Sequence, residues 1–114
     1  MSEEKKTMDI KQLARIKEME VHLNYLNEFL PELGNFQTKV KAALPHYQAL
    51  SNYYSSANWF SDYDAHSQGL VPKDVPCGVL SEDAAYDCLG EIYQFALQQL
   101  NIVNKILNTA EPEN

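Results

Sequence analysis

The sequence predicts an all-α fold: an antiparallel three-helix bundle with a long, ordered, aromatic and acidic loop between helices two and three. Three observations carry that prediction. Apolar residues recur at alternating steps of three and four along most of the chain, only four glycines interrupt 114 residues, and the last helical stretch carries two adjacent apolar stripes that call for two neighbours. A chain of this length suffices for one domain, expected over residues 9–109 between loose tails at 1–8 and 110–114.

Helix one starts at Asp9, and Ile16, Met19, Leu23, Leu26, Leu30 and Leu33 lay a single stripe along it. Pro31 disfavours helical geometry at Leu30, and Gly34 with Asn35 offers a C-cap followed by an N-cap, so a tight connection is expected at 31–35. The stripe then restarts out of phase as Leu33, Phe36, Val40, Ala43, Tyr47, Leu50 and Tyr54, giving a helix two that runs to about Trp59. Pro45 is expected to kink or split it. Should the break at 31–35 fail, helices one and two become one rod that must find a second chain, so the expected state is a monomer or a homodimer.

Helix three begins at the best-marked boundary. Ser81 stands as N-cap, Glu82 and Asp83 meet the positive end of the helix dipole, and Leu80 packs inward ahead of the cap. One stripe runs Tyr86, Leu89, Tyr93, Ala96, Leu100, Val103, Leu107; a second runs Ala85, Cys88, Ile92, Phe95, Gln99, Ile102, Ile106. Before it, residues 61–80 form a connection of about twenty residues where bundles use two to eight, and its valines, leucines and two prolines argue that it is ordered.

Charge divides the chain. The net charge of −7 lies wholly in residues 53–114, where nine carboxylates face Lys73 and Lys105, while the first part balances seven basic against seven acidic groups. Such a surface repels phosphate backbones and anionic lipid, so nucleic acid and membranes are excluded as expected partners and a basic protein is favoured. No apolar run approaches a bilayer span, the start MSEEKKT lacks the apolar core of a signal peptide, and the two cysteines suit free thiols in a reducing compartment. A cytoplasmic location is expected.

The stretch YYSSANWFSDYD, residues 53–64, concentrates five aromatics and two aspartates. Two readings compete. As a lid, Tyr54 and Trp59 close one end of the bundle, with the hydroxyl and indole donors satisfied by Asp62, Asp64 or Asp83. As a site, Tyr53, Trp59, Asp62, Asp64, Glu82 and Asp83 form a half-open pocket with an acidic mouth for a basic side chain of a partner.

Together the run YYSS, Trp59, Asp62, Gly69, Pro72, GVLSEDAAYD at 78–87 and RIKEME at 15–20 resembles a family of small bacterial proteins classed only as a domain of unknown function. The resemblance implies the helical fold and a bacterial cytoplasmic origin, and brings no activity or cofactor.

Catalytic and metal signatures are weak. Asp62, Asp64, His66 and Gln68 alternate like calcium-loop ligands, yet glycine falls at the eighth place and Lys73 at the twelfth. A looser cation site from Asp62, Asp64 and Asp83 is the alternative that would make the chain a metal- or small-ligand-dependent enzyme. His46, His66, Cys77 and Cys88 lack zinc spacing, and Asp83 with Asp87 is an ordinary solvated pair one turn apart. No catalytic, metal or cofactor residue is therefore assigned. The expected function is a small acidic protein-binding or regulatory module, contacting its partner through residues 53–83; an inhibitor or antidote of a basic toxin is one form of it.

Overall fold

The computed structural model describes residues 7–109; apart from Thr7 and Met8, the tails expected at 1–8 and 110–114 lie outside the described residues. The elements are α1 (Ile10–Tyr54), α2 (Ala57–Ser67), a 3-10 turn (Gly78–Leu80) and α3 (Glu82–Thr109), with no strand among the described residues. The fold class is all-α. The chain divides into two units, Met1–Ala43 and Leu44–Asn114, and each is described by itself.

The first unit is helix throughout its described part beyond Asp9, and it corrects the expected break at 31–35: α1 runs unbroken through Pro31, Gly34 and Pro45. The reason lies in the apolar pattern. Met19, Leu26, Leu33, Val40, Tyr47 and Tyr54 recur every seven residues across the whole helix, and this row never breaks. What changes near residue 34 is only its companion row, from Ile16, Leu23 and Leu30 on one side to Phe36, Ala43 and Leu50 on the other. A shift of companion had the look of a turn. Both prolines fall on the same outward position of the seven-residue pattern, directly after Leu30 and Leu44, where a lost backbone bond faces away from the apolar row. Propagating a helix already nucleated gains a bond per residue, which offsets two isolated defects in 45 residues. The hydroxyl of Thr38 also donates to the carbonyl of Gly34 at 3.0 Å, adding a bond at the weakest point.

The second unit holds the end of α1, then α2, the 3-10 turn and α3. Ser55 and Ser56 separate α1 from α2, and Ser56 caps α2 by accepting from the Trp59 backbone N–H at 3.4 Å. The long connection is thus shorter than expected, because Ala57–Ser67 is helical. That helix ends in a Schellman motif: Leu70 N–H donates to the carbonyl of Ala65 and Gly69 N–H to that of His66, each at 3.0 Å, with Gly69 at φ 73°. The expected start of α3 is observed, with Ser81 Oγ accepting from Ala84 N–H at 3.4 Å and Glu82 and Asp83 in the first turn.

Among the described residues Trp59, Leu80 and Ala85 are the buried apolar ones, at 4, 7 and 4 % exposure, and they join α2, the 3-10 turn and α3 into one small core. The two neighbours expected for α3 are not supplied within this unit. Ala85 is its one buried residue among those described, and Leu100, Val103, Ile106 and Leu107 stand exposed, so the expectation of a last helix covered on both edges is corrected.

The Gly69 geometry generates a test. A Cβ there meets nothing within 4 Å, so Gly69→Ala carries only the strain of left-handed backbone, about 1 kcal/mol, and Gly69→Asn less; urea unfolding checks both. Equal stability of all three proteins would contradict the Schellman assignment.

Candidate functional site

The site is built around Trp59. As the third residue after Ser56 it turns inward from α2, and its indole N–H donates to the carbonyl of Val79 at 2.9 Å, tying α2 to the 3-10 turn. Its ring stacks on Tyr63 at 5.2 Å and meets Tyr54 and Phe60 edge to face, each at 5.3 Å. Tyr54 in turn donates its hydroxyl to the carbonyl of Glu82 at 3.2 Å, bringing the end of α1 to the start of α3.

Of the side chains named from sequence, Tyr53 and Asp62 are brought together: the phenol donates to Asp62 Oδ2 at 2.6 Å. That bond and the neighbouring carboxylate charge oppose ionisation, and the phenol is pushed up to about 12. Trp59 is buried and its donor is occupied by a backbone carbonyl, whereas a carboxylate had been expected; it is a supporting residue rather than an exposed contact. Asp64, Glu82 and Asp83 are exposed on the surface around this core. Asp62, Asp64 and Asp83 are not gathered into a ligand set, and among the described residues no group of three or more His, Cys, Asp or Glu side chains stands placed to hold a metal ion. Cys77 and Cys88 are free, and Cys77 Sγ donates to the carbonyl of Val75 at 3.3 Å.

Beside the tryptophan cluster lies an open groove of about 980 Å³ between the last turns of α1 and the first half of α3. Four tyrosines, Tyr47, Tyr54, Tyr86 and Tyr93, line it, with Asp87 and Glu91 one turn apart on α3. Further along, Gln94 and Gln98 add amide donors and acceptors. Reading the sequence alone places Tyr86 and Tyr93 in a core stripe. The signal that separates them from core is their chemistry: aliphatic residues hold the later places of that stripe, and only these two carry a hydroxyl. Chemically the groove offers aromatic faces and carboxylates to a cation, and no nucleophile paired with a base.

A family model described as "Domain of unknown function (DUF4298)" matches residues 16–102, and the chain belongs to that family. No curated protein and no solved structure matches the chain.

The Tyr53 phenol sets a pH window. Its folded-state pKa lies above the ordinary value of 10.0, so its bond to Asp62 contributes stability fully below pH 10 and loses it as pH rises to about 12. In difference titrations against Tyr53→Phe, the Tyr53 transition near pH 12 is expected to move down toward 10 in Asp62→Asn. An unmoved transition would contradict the pairing.

Proposed function

We propose, from the premise that the chain belongs to a family whose description assigns no activity, that it is a non-enzymatic, protein-binding regulatory module of the bacterial cytoplasm. It holds a basic segment of another protein on the face built by residues 53–83 and the adjoining groove. The observation that supports this best is the groove itself: four tyrosine rings beside Asp87 and Glu91, on a unit whose charges are nine acidic against two basic. Lysine and arginine side chains gain cation–π contact from such rings and charge-assisted bonds from such carboxylates, while their aliphatic stems cover the aromatic edges. Phosphate-bearing partners are repelled.

Within this reading Trp59 holds the floor, Tyr53 fixes Asp62, and Asp64, Glu82 and Asp83 extend the acidic rim around it. The antiparallel bundle packing that the paired stripes of α3 call for belongs to the same proposal. A basic amphipathic helix laid in the groove supplies α3 with a neighbour. The rival enzyme reading through Asp62, Asp64 and Asp83 has no gathered ligand set among the described residues to support it.

The test places a photo-crosslinking side chain at Tyr86, at the exposed edge of the groove, in the native host. A basic protein is expected to be captured, and Asp87→Lys with Glu91→Lys, or raising salt from about 50 to 300 mM, to weaken its binding ten-fold or more. Capture of no basic protein, or capture indifferent to both changes, would overturn the reading.

A further inference from the structure

We infer that α1 pairs with α1 of a second copy of this chain as a parallel, in-register coiled coil over residues 16–40. The first unit is a single helical segment in which no described residue is buried, so nothing within it covers its own apolar face. That face is a seam. Ile16, Met19, Leu23, Leu26, Leu30 and Leu33 step strictly by three and four, and the same register continues through Gln37 and Val40 to Leu44. Its apolar members from Ile16 to Val40 are each 45–57 % exposed. Covering these seven with Phe29 beside them removes roughly 600–800 Å² per chain from water, by the usual area of a buried aliphatic side chain. A stable interface takes about 800 Å² per partner, so the seam alone approaches what a dimer needs.

Three features select a second copy, and a parallel one. Gln37 is the polar residue set among the apolar members of the seam. In a parallel, in-register pair it lies against the same glutamine of its twin, where two amides satisfy each other; in an antiparallel pair it faces an apolar row and stays unpaired. The flanking positions also match across such a pair, five residues apart. Arg15 comes beside Glu20 of the second copy, joining opposite charges on both sides of the two-fold axis. Phe29 comes beside Gly34 of the second copy, and Gly34 has open space where a Cβ would stand, so the ring finds room. Charge permits the contact as well, since residues 16–40 carry Lys17 and Lys39 against Glu18, Glu20, Glu28 and Glu32, a small excess, while the nine carboxylates of residues 53–114 lie beyond it. Pro31 falls just outside the seam, on the outward side.

The pairing stands apart from the groove of the second unit, and either proposal survives failure of the other. Sedimentation equilibrium of the full chain is expected to give twice 13.0 kDa at micromolar concentration. In a chain with Cys77→Ser and Cys88→Ser, the further change Gln37→Cys is expected to yield a covalent dimer on mild oxidation, because equivalent positions of a parallel seam approach within disulfide reach. Leu30→Lys is expected to shift the mass toward monomer, and Glu28→Gln, on the side away from the seam, to leave it unchanged. A monomer up to about 100 µM, at which the standard interface of this size is populated, overturns the inference. So does a dimer whose Gln37→Cys form fails to cross-link, which would mean an antiparallel seam or another surface. The wild-type mass and the cross-link both hold as readouts even if Leu30→Lys unfolds.

Discussion

The second unit depends on one side chain reaching one carbonyl. Trp59 is buried against Tyr54, Phe60 and Tyr63, and its indole N–H finds Val79 in the 3-10 turn. A core of three buried residues among those described is too small to define a structure by area alone, so directional contacts carry more of the specification than in a larger domain. The serine cap sets the phase of α2 that turns Trp59 inward, the Schellman turn at Gly69 ends that helix, and Leu80 with Ser81 launches α3 from the point where Val79 is held. The groove is a consequence of this arrangement, since Tyr54 both touches Trp59 and bonds the first residue of α3.

Local signals of helix ends were legible in the sequence, and their failure at 31–35 is instructive. Ser81, Glu82 and Asp83 mark a start because capping and dipole effects act over one turn and compete with nothing. Pro31, Gly34 and Asn35 look equally like a stop, yet they oppose a seven-residue row that persists from Met19 to Tyr54. An interior proline costs roughly 3 kcal/mol or more and a glycine about 1 kcal/mol, yet α1 continues through both along the apolar row. The helical class was therefore readable, while the count and pairing of helices depended on which of two rows was followed past residue 34. Helix α2 went unread because no carboxylate follows Ser56 in the first turn, where Ser81 is followed by Glu82 and Asp83.

At the site, the aromatic and acidic residue types of 53–64 pointed to the right region but not to their separate tasks. Which face Trp59 takes is set by the start of α2, and that start was hidden; its acceptor proved to be backbone, which no side-chain pattern announces. Tyr53 and Asp62 are nearer in sequence, both belong to the expected site, and the structure joins them by a hydrogen bond. The groove, by contrast, joins Tyr47 to Tyr93 across most of the second unit, and such distant neighbours emerge only once the chain is folded.

Two surfaces differ in chemistry: a groove lined by four tyrosines beside Asp87 and Glu91, and an apolar row along α1. The groove stands only if Trp59 is locked, and hydrogen exchange at its indole N–H, followed by NMR, tests that most directly. Exchange at least about 100-fold slower than in a free indole is expected, moving in step with the amides of Leu80 and Ala85 as one cooperative unit. Exchange at the free-indole rate, with those amides still protected, would contradict the anchoring of this unit by Trp59.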